Sequence, residues 1–167
     1  MPMLQLNLPS GYNNELRNRL VNAVSAAVAD VTGAEPGAVC ISIGAPDPAE
    51  RVTAFLMAME RRDLAHARTY LADEFVMSFP GSGELTSLEQ LVEWGKDRYR
   101  FVKKTLFATD VAHRPDGATV IVHGTLRGEW PDGRAFSGVR FIDRFDVRNN
   151  QLVRQDVWND LANAQPR

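Results

Sequence analysis

Asp143 lies on the wrong phase for a charged residue. In FSGVRFIDRFDV, Val139, Phe141, Phe145 and Val147 alternate with Arg140, Ile142, Arg144 and Asp146, the period-two pattern of a half-buried strand. Asp143 falls among the apolar set. A carboxylate there loses water unless something hydrogen-bonds it, and its proton affinity should rise. Asp156 follows on the next strand, just before Val157 and Trp158. An acid on an apolar face beside aromatics suits small-molecule acid–base chemistry, and it equally suits a structural buried Asp. His123, flanked by valine and glycine in VIVHGTL, is either a proton relay or a structural histidine. Trp94, Tyr99, Trp130 and Trp158 are candidate pocket walls, although each alone also suits a core or an interface.

Other chemistries find no support in the pattern. The three histidines show no metal-ligand spacing, and no Gly-rich phosphate loop, nucleophile elbow or paired Cys motif is present, so neither metal nor cofactor is expected. A net charge of -2 without any Lys/Arg-rich run argues against nucleic acid. No apolar stretch reaches the length of a membrane span, and the amino terminus lacks a signal-peptide layout. Cys40 is the single cysteine, which excludes an internal disulfide and suggests a reducing, cytoplasmic setting.

The elements that must position these residues fall into two parts, 1–46 and 47–167. In the first, Leu4, Leu6 and Leu8 alternate as a strand, and Pro9-Ser10-Gly11 turns the chain. Leu16, Leu20, Val24, Ala27 and Val31 share one helical face, Gly33 is placed to cap its end, and Val39 to Ile43 alternates again. The pattern predicts a right-handed β-α-β unit with parallel strands. Two strands and one helix bury too little surface to stand alone, so a homo-oligomer is expected.

Met1-Pro2 opening a strand, Gly11 after it, the helix and the GAEPGAVCISI run together resemble the amino-terminal part of the 4-oxalocrotonate tautomerase family. The resemblance implies loss of Met1 and a catalytic role for the secondary amine of Pro2 as general base. The positions matching the family's substrate-binding arginines hold Tyr12 and Cys40, and its carboxy-terminal hairpin is replaced by Gly44 to Pro48. An oligomerisation module is the alternative role for this segment.

Beyond Pro46 and Pro48, Val52, Phe55, Leu56 and Met59 form a helical stripe, and Asp63 can cap a second short helix. EFVMSFPGSG reads as a strand and loop. Ser87 to Gln90 has capping-box spacing for a third helix, predicted to run past Trp94 and Tyr99 towards Lys103. Four strands follow, separated by turns at residues 114–117, 131–133 and 148–151. The fold class is α+β.

That order, closing on FIDRFDV and QDVWNDLA, resembles the SnoaL-like group of the nuclear transport factor 2-like superfamily. The resemblance implies a cone-shaped, bent antiparallel sheet wrapped around helices, with an apolar pocket at its mouth. FIDRFDV lines up with the ketosteroid isomerase strand that bears a hydrogen-bond-donating Asp, which puts Asp143 in that role. The isomerase's base falls at Phe79 and its oxyanion-hole Tyr at Phe55, so steroid isomerisation by that route is not expected. Asp156 matches the last-strand acid of the epoxide hydrolases, whose Arg-x-Asp is not found in VIVHGTLRGEW. The polyketide cyclases need one acid–base carboxylate in an apolar enclosure, which Asp143 or Asp156 would supply.

The leading expectation is a cofactor-free isomerase, tautomerase or cyclase acting on an enolisable small carbonyl compound. Asp143 would exchange protons with the substrate oxygen, assisted by His123 or Asp156, with Phe55, Phe79, Trp94, Tyr99 and Trp158 around the substrate. Pro2 as base is a second possibility, and a non-catalytic binder of small hydrophobic ligands a third.

Overall fold

Two short strands and one capped helix build the first of two units. Strand β1 (Met3–Leu6) pairs in parallel with β2 (Cys40–Ile43), Met3 opposite Cys40 and Leu6 opposite Ile43. Helix α1 (Asn14–Thr32) joins them, as parallel neighbours require a crossover. The Asn13 side chain accepts from the Leu16 N–H at 2.8 Å, and Gly33 closes the helix at φ 68°, where a residue lacking Cβ is unstrained. The predicted apolar face is largely uncovered: Leu20 and Val24 are half-buried, Leu16 and Ala27 are exposed, Val31 is 85% exposed, and the buried Ala29 lies off that face. The computed structural model describes residues 3–6, 13–43, 47–114 and 116–164, and the chain divides into units of residues 1–46 and 47–167. Pro2 and Tyr12 lie outside the described residues.

The second unit begins with α2 (Pro48–Glu60), capped by Asp47 with Pro48 in its first turn, where the missing N–H is harmless. Asp63 caps the short α3 (Leu64–Arg68). Then come β3 (Leu71–Phe79), β4 (Gly83–Leu85) and α4 (Leu88–Lys96). At the start of α4, Ser87 accepts from the Gln90 N–H, while the Gln90 side chain reaches back to the Thr86 N–H. Strands β5 (Phe101–Arg114), β6 (Gly117–Glu129), β7 (Ala135–Arg148) and β8 (Gln151–Asn159) follow, and α5 (Leu161–Ala164) is the last described element.

Helix α4 stops well short of Lys103, contrary to the sequence expectation. It ends at Lys96 with Asp97 as its cap, where Gly95 and Asp97 are poor helix formers. Residues from Phe101 onwards gain more by pairing along the whole of β6. Gly95 has a second use: a Cβ there would meet the Tyr99 hydroxyl at 3.0 Å, so glycine makes room for that ring.

The sheet order is β4-β3-β8-β7-β6-β5, so the sheet is open, with β4 and β5 at its edges. It is not wholly antiparallel as expected, because β3 runs parallel to β8, with Met77 opposite Gln155. Hairpins impose antiparallel pairing on β5 to β8, whereas β3 and β8 are joined through most of the unit and have no such constraint. Register shifts interrupt the β3/β8, β5/β6, β6/β7 and β7/β8 pairings, and such bulges bend a sheet into the curved form seen here. Asn149 and Asn150, at φ 48° and 62°, form the tight turn between β7 and β8.

The concave side holds the core. Phe55 of α2 is 1% exposed and meets Phe75 and Phe145 edge-on, at centroid distances of 6.2 and 5.9 Å. Val120, Val122, Phe141 and Leu152 complete the same layer.

Candidate functional site

Period two decides what each strand presents to the concave side. On β7, Phe141, Asp143 and Phe145 all point inward, and Asp143 is fully buried. Its register partners are Val122 on β6 and Val157 on β8, both buried. On β5, Lys104 shares the inner phase with Val102 and Leu106. Its ammonium forms an ion pair with Asp143 Oδ2 and lies 4.4 Å from the centre of the Phe141 ring. Gln155 of β8 is 2% exposed, and its Nε2 is 3.4 Å from the same carboxylate oxygen. Asp143 Oδ1 and Gln155 Oε1 are buried without a hydrogen-bond partner among the described residues.

This cluster stands at the wall of a cavity of about 740 Å³. Lys104 and Gln155 line it, with Asp143 immediately behind them. Phe55, Leu56, Met59, Phe79, Leu91 and Leu106 give it apolar walls, and Tyr99 adds a phenol. Arg61, Arg62, Arg100 and Lys103, with Glu60, supply further charged lining. An ammonium held by a buried carboxylate in an apolar wall can stabilise charge developing on a bound oxygen.

Of the residues expected around a substrate, Phe55, Phe79 and Tyr99 line the cavity. Trp94 packs on Phe79, ring centroids 5.4 Å apart, and carries the Arg98 guanidinium 4.0 Å above its own ring. Trp130 stacks on Phe136 in the core at 4.5 Å. Trp158 is 55% exposed on the outer face, one phase away from the buried Val157.

Asp156 and His123 also lie on the outer phase. Asp156 accepts from Arg144 and Arg154 at 3.0 Å each, and Arg144 also holds Asp146. The sheet therefore separates Asp156 from Asp143. His123 is opposite the exposed Ile142 and packs edge-on against Phe107 at 6.4 Å. The structure brings neither into the Lys104–Asp143–Gln155 cluster.

Lys104 and Gln155 escaped the sequence reading. The signal was the one that exposed Asp143, a polar residue on an apolar phase, but the phase of Lys104 appears only once residues 101–114 are read as strand. Among the described residues, no group of three or more His, Cys, Asp or Glu side chains is placed to hold a metal ion, and no helix is long and apolar enough to cross a membrane.

Burial raises the Tyr99 phenol above its ordinary 10.0, while Arg62 and Arg98 pull it the other way. A raised acid favours the protonated form in the folded state. Its contribution to stability is therefore complete below about pH 10 and is lost as the pH rises through the folded value. Tyr99→Phe should lose less stability than the unsubstituted protein between about pH 9 and pH 11. Urea melts at the two pH values read this, and equal losses would contradict it.

The fold has known counterparts. No curated protein matches the chain. Among solved structures, a nuclear transport factor 2-like protein of unknown function from Burkholderia pseudomallei shares 16% identity over 70% of this chain and 93% of its own, with a TM-score of 0.59. TerC, co-crystallized with polyporic acid, shares 15% over 71% of this chain and 95% of its own, at 0.59. A protein from Xanthomonas campestris pv. campestris, named as a polyketide cyclase, shares 19% over 71% of this chain and 96% of its own, at 0.55. At such identities the likeness is one of fold. The SnoaL-like domain family matches residues 52–155, the span from Val52 within α2 to Gln155 in β8. Through that match the chain belongs to the SnoaL-like family.

Proposed function

We propose that the second unit is a cofactor-free acid–base enzyme that enolises a small carbonyl compound in this cavity, as an isomerase, tautomerase or cyclase. The observation that carries the reading is the ion pair of Lys104 with the fully buried Asp143, its ammonium in a largely apolar cavity wall. Lys104 hydrogen-bonds the substrate oxygen and steadies the enolate as it forms. Asp143 holds the ammonium in place and exchanges protons with that oxygen through it. Glu60 is the carboxylate among the lining residues and accepts the proton leaving carbon. The naming of one fold relative as a polyketide cyclase and the polyporic acid in TerC support carbonyl compounds as the class to test.

The test is proton exchange in heavy water, followed by NMR over ketones, keto acids and β-dicarbonyls. Exchange should fall by about 10²-fold or more in Asp143→Asn, the usual scale of acid–base catalysis. Full activity in a folded Asp143→Asn protein would sink the reading. Loss confined to Pro2→Ala would move the chemistry to the amino-terminal segment, with Pro2 as the base. Ligand-induced stabilisation without exchange would select the non-catalytic binder.

A further inference from the structure

We infer that the cavity recognises an anionic substrate, an organic carboxylate with an apolar body, and that Arg62 is the residue that selects its charge. The inference rests on the cavity being the ligand site proposed above. Five cationic residues and one acidic residue line the cavity in a chain whose net charge is -2, so the positive surplus is local. Lys104 is committed to Asp143, and Arg100 to Glu129 at 2.6 Å. Arg61, Arg62 and Lys103 form no ion pair among the described residues, and the Glu60 carboxylate is 3.4 Å from the backbone N–H of Lys104. The close of α2 thus brings uncommitted positive charge to the cavity lining, next to where Glu60 meets the start of β5.

Arg62 is also conformationally out of place. It sits at φ 59° immediately after α2, with its N–H on Met59 O at 3.1 Å and the next N–H, of Asp63, on Ala58 O at 3.0 Å. That is the left-handed helix-closing position where glycine is unstrained and a side chain costs stability. Apart from Arg62, the non-glycine residues with positive φ among those described are Asn149 and Asn150, a type that tolerates this geometry. A bare preference for cations at a helix C-terminus is already met by the neighbouring Arg61. An exposed arginine in a glycine position among the lining residues of the cavity is explained by what it binds: a guanidinium pairs with a carboxylate through charge-assisted hydrogen bonds.

The test pairs 2-naphthoate with the uncharged 2-naphthamide, titrated by calorimetry at low salt. The unsubstituted protein should bind the carboxylate about tenfold tighter, equivalent to about 1.4 kcal/mol. Arg62→Gly should reduce that preference to about twofold or less while its melting temperature stays equal or rises, a combination that a structural arginine would not produce. Arg62→Lys should keep part of the preference. Equal affinity for the two probes, binding of neither, or an undiminished preference in Arg62→Gly would each overturn the inference. Repeating the titration on Asp143→Asn separates the two proposals. Preference without proton exchange strikes only the chemistry, and exchange without preference strikes only the anion selectivity.

Discussion

Lys104→Met will lower the unfolding free energy by about 3–5 kcal/mol, the usual cost of leaving a buried charge without its partner. Asp143 has no solvent exposure, its Oδ1 has no partner among the described residues, and its remaining contact is the Gln155 amide at 3.4 Å. Lys104 is its compensating charge, brought from 39 residues away in sequence. The same physics predicts that Asp143→Leu rescues the loss, because an apolar pair of similar volume avoids desolvating two ions. Urea denaturation of both single variants and the double variant measures the coupling. If Lys104→Met costs the same with and without Asp143, the pair does not hold this part of the fold. A large coupling would show that the group proposed for catalysis is also a structural tie, so activity in these variants must be read only where folding is intact.

Phe55→Ala will cost about 3–5 kcal/mol, whereas Trp158→Ala will stay within about 0.5 kcal/mol of the unsubstituted protein. Both aromatics were expected around the substrate, and the structure gives them opposite surroundings. Phe55 is 1% exposed and is held edge-on by Phe75 and Phe145, so truncation removes both contacts and leaves a void beside the cavity. Trp158 is 55% exposed on the outer face, where truncation opens no void. Thermal and urea unfolding of the two variants distinguishes the environments, and comparable losses would place Trp158 in a covered interface. Phe55→Ala should also weaken apolar ligands, since Phe55 lines the cavity.

Local patterns were legible because they depend on neighbours a few residues apart. The alternation around Asp143, the Asn149-Asn150 turn, and the caps at Asp63 and Ser87 are set by side chains and backbone groups within the same turn or strand. The order of such patterns carried only the resemblance of the second unit to the SnoaL-like group, which the family match over residues 52–155 supports. The end of α4 was not legible. Residues after Lys96 suit either state locally, and pairing with β6 outweighs one more turn of helix. The parallel contact of β3 with β8 was equally hidden, because no hairpin links the two strands.

By itself, the amino-acid sequence determined that Asp143 would be a buried carboxylate: its phase among Val139, Phe141, Phe145 and Val147 leaves no other side for it to face. What neutralises it, and what it can reach, was decided only by the tertiary structure. Bending the sheet across four strands puts Lys104 and Gln155 on its inner side and Asp156, His123 and Trp158 on its outer side. The reason is geometric. A strand assigns its side chains to two faces every other residue, but which face encloses the cavity, and which distant strand supplies the counter-charge, depends on register and curvature that no single strand encodes.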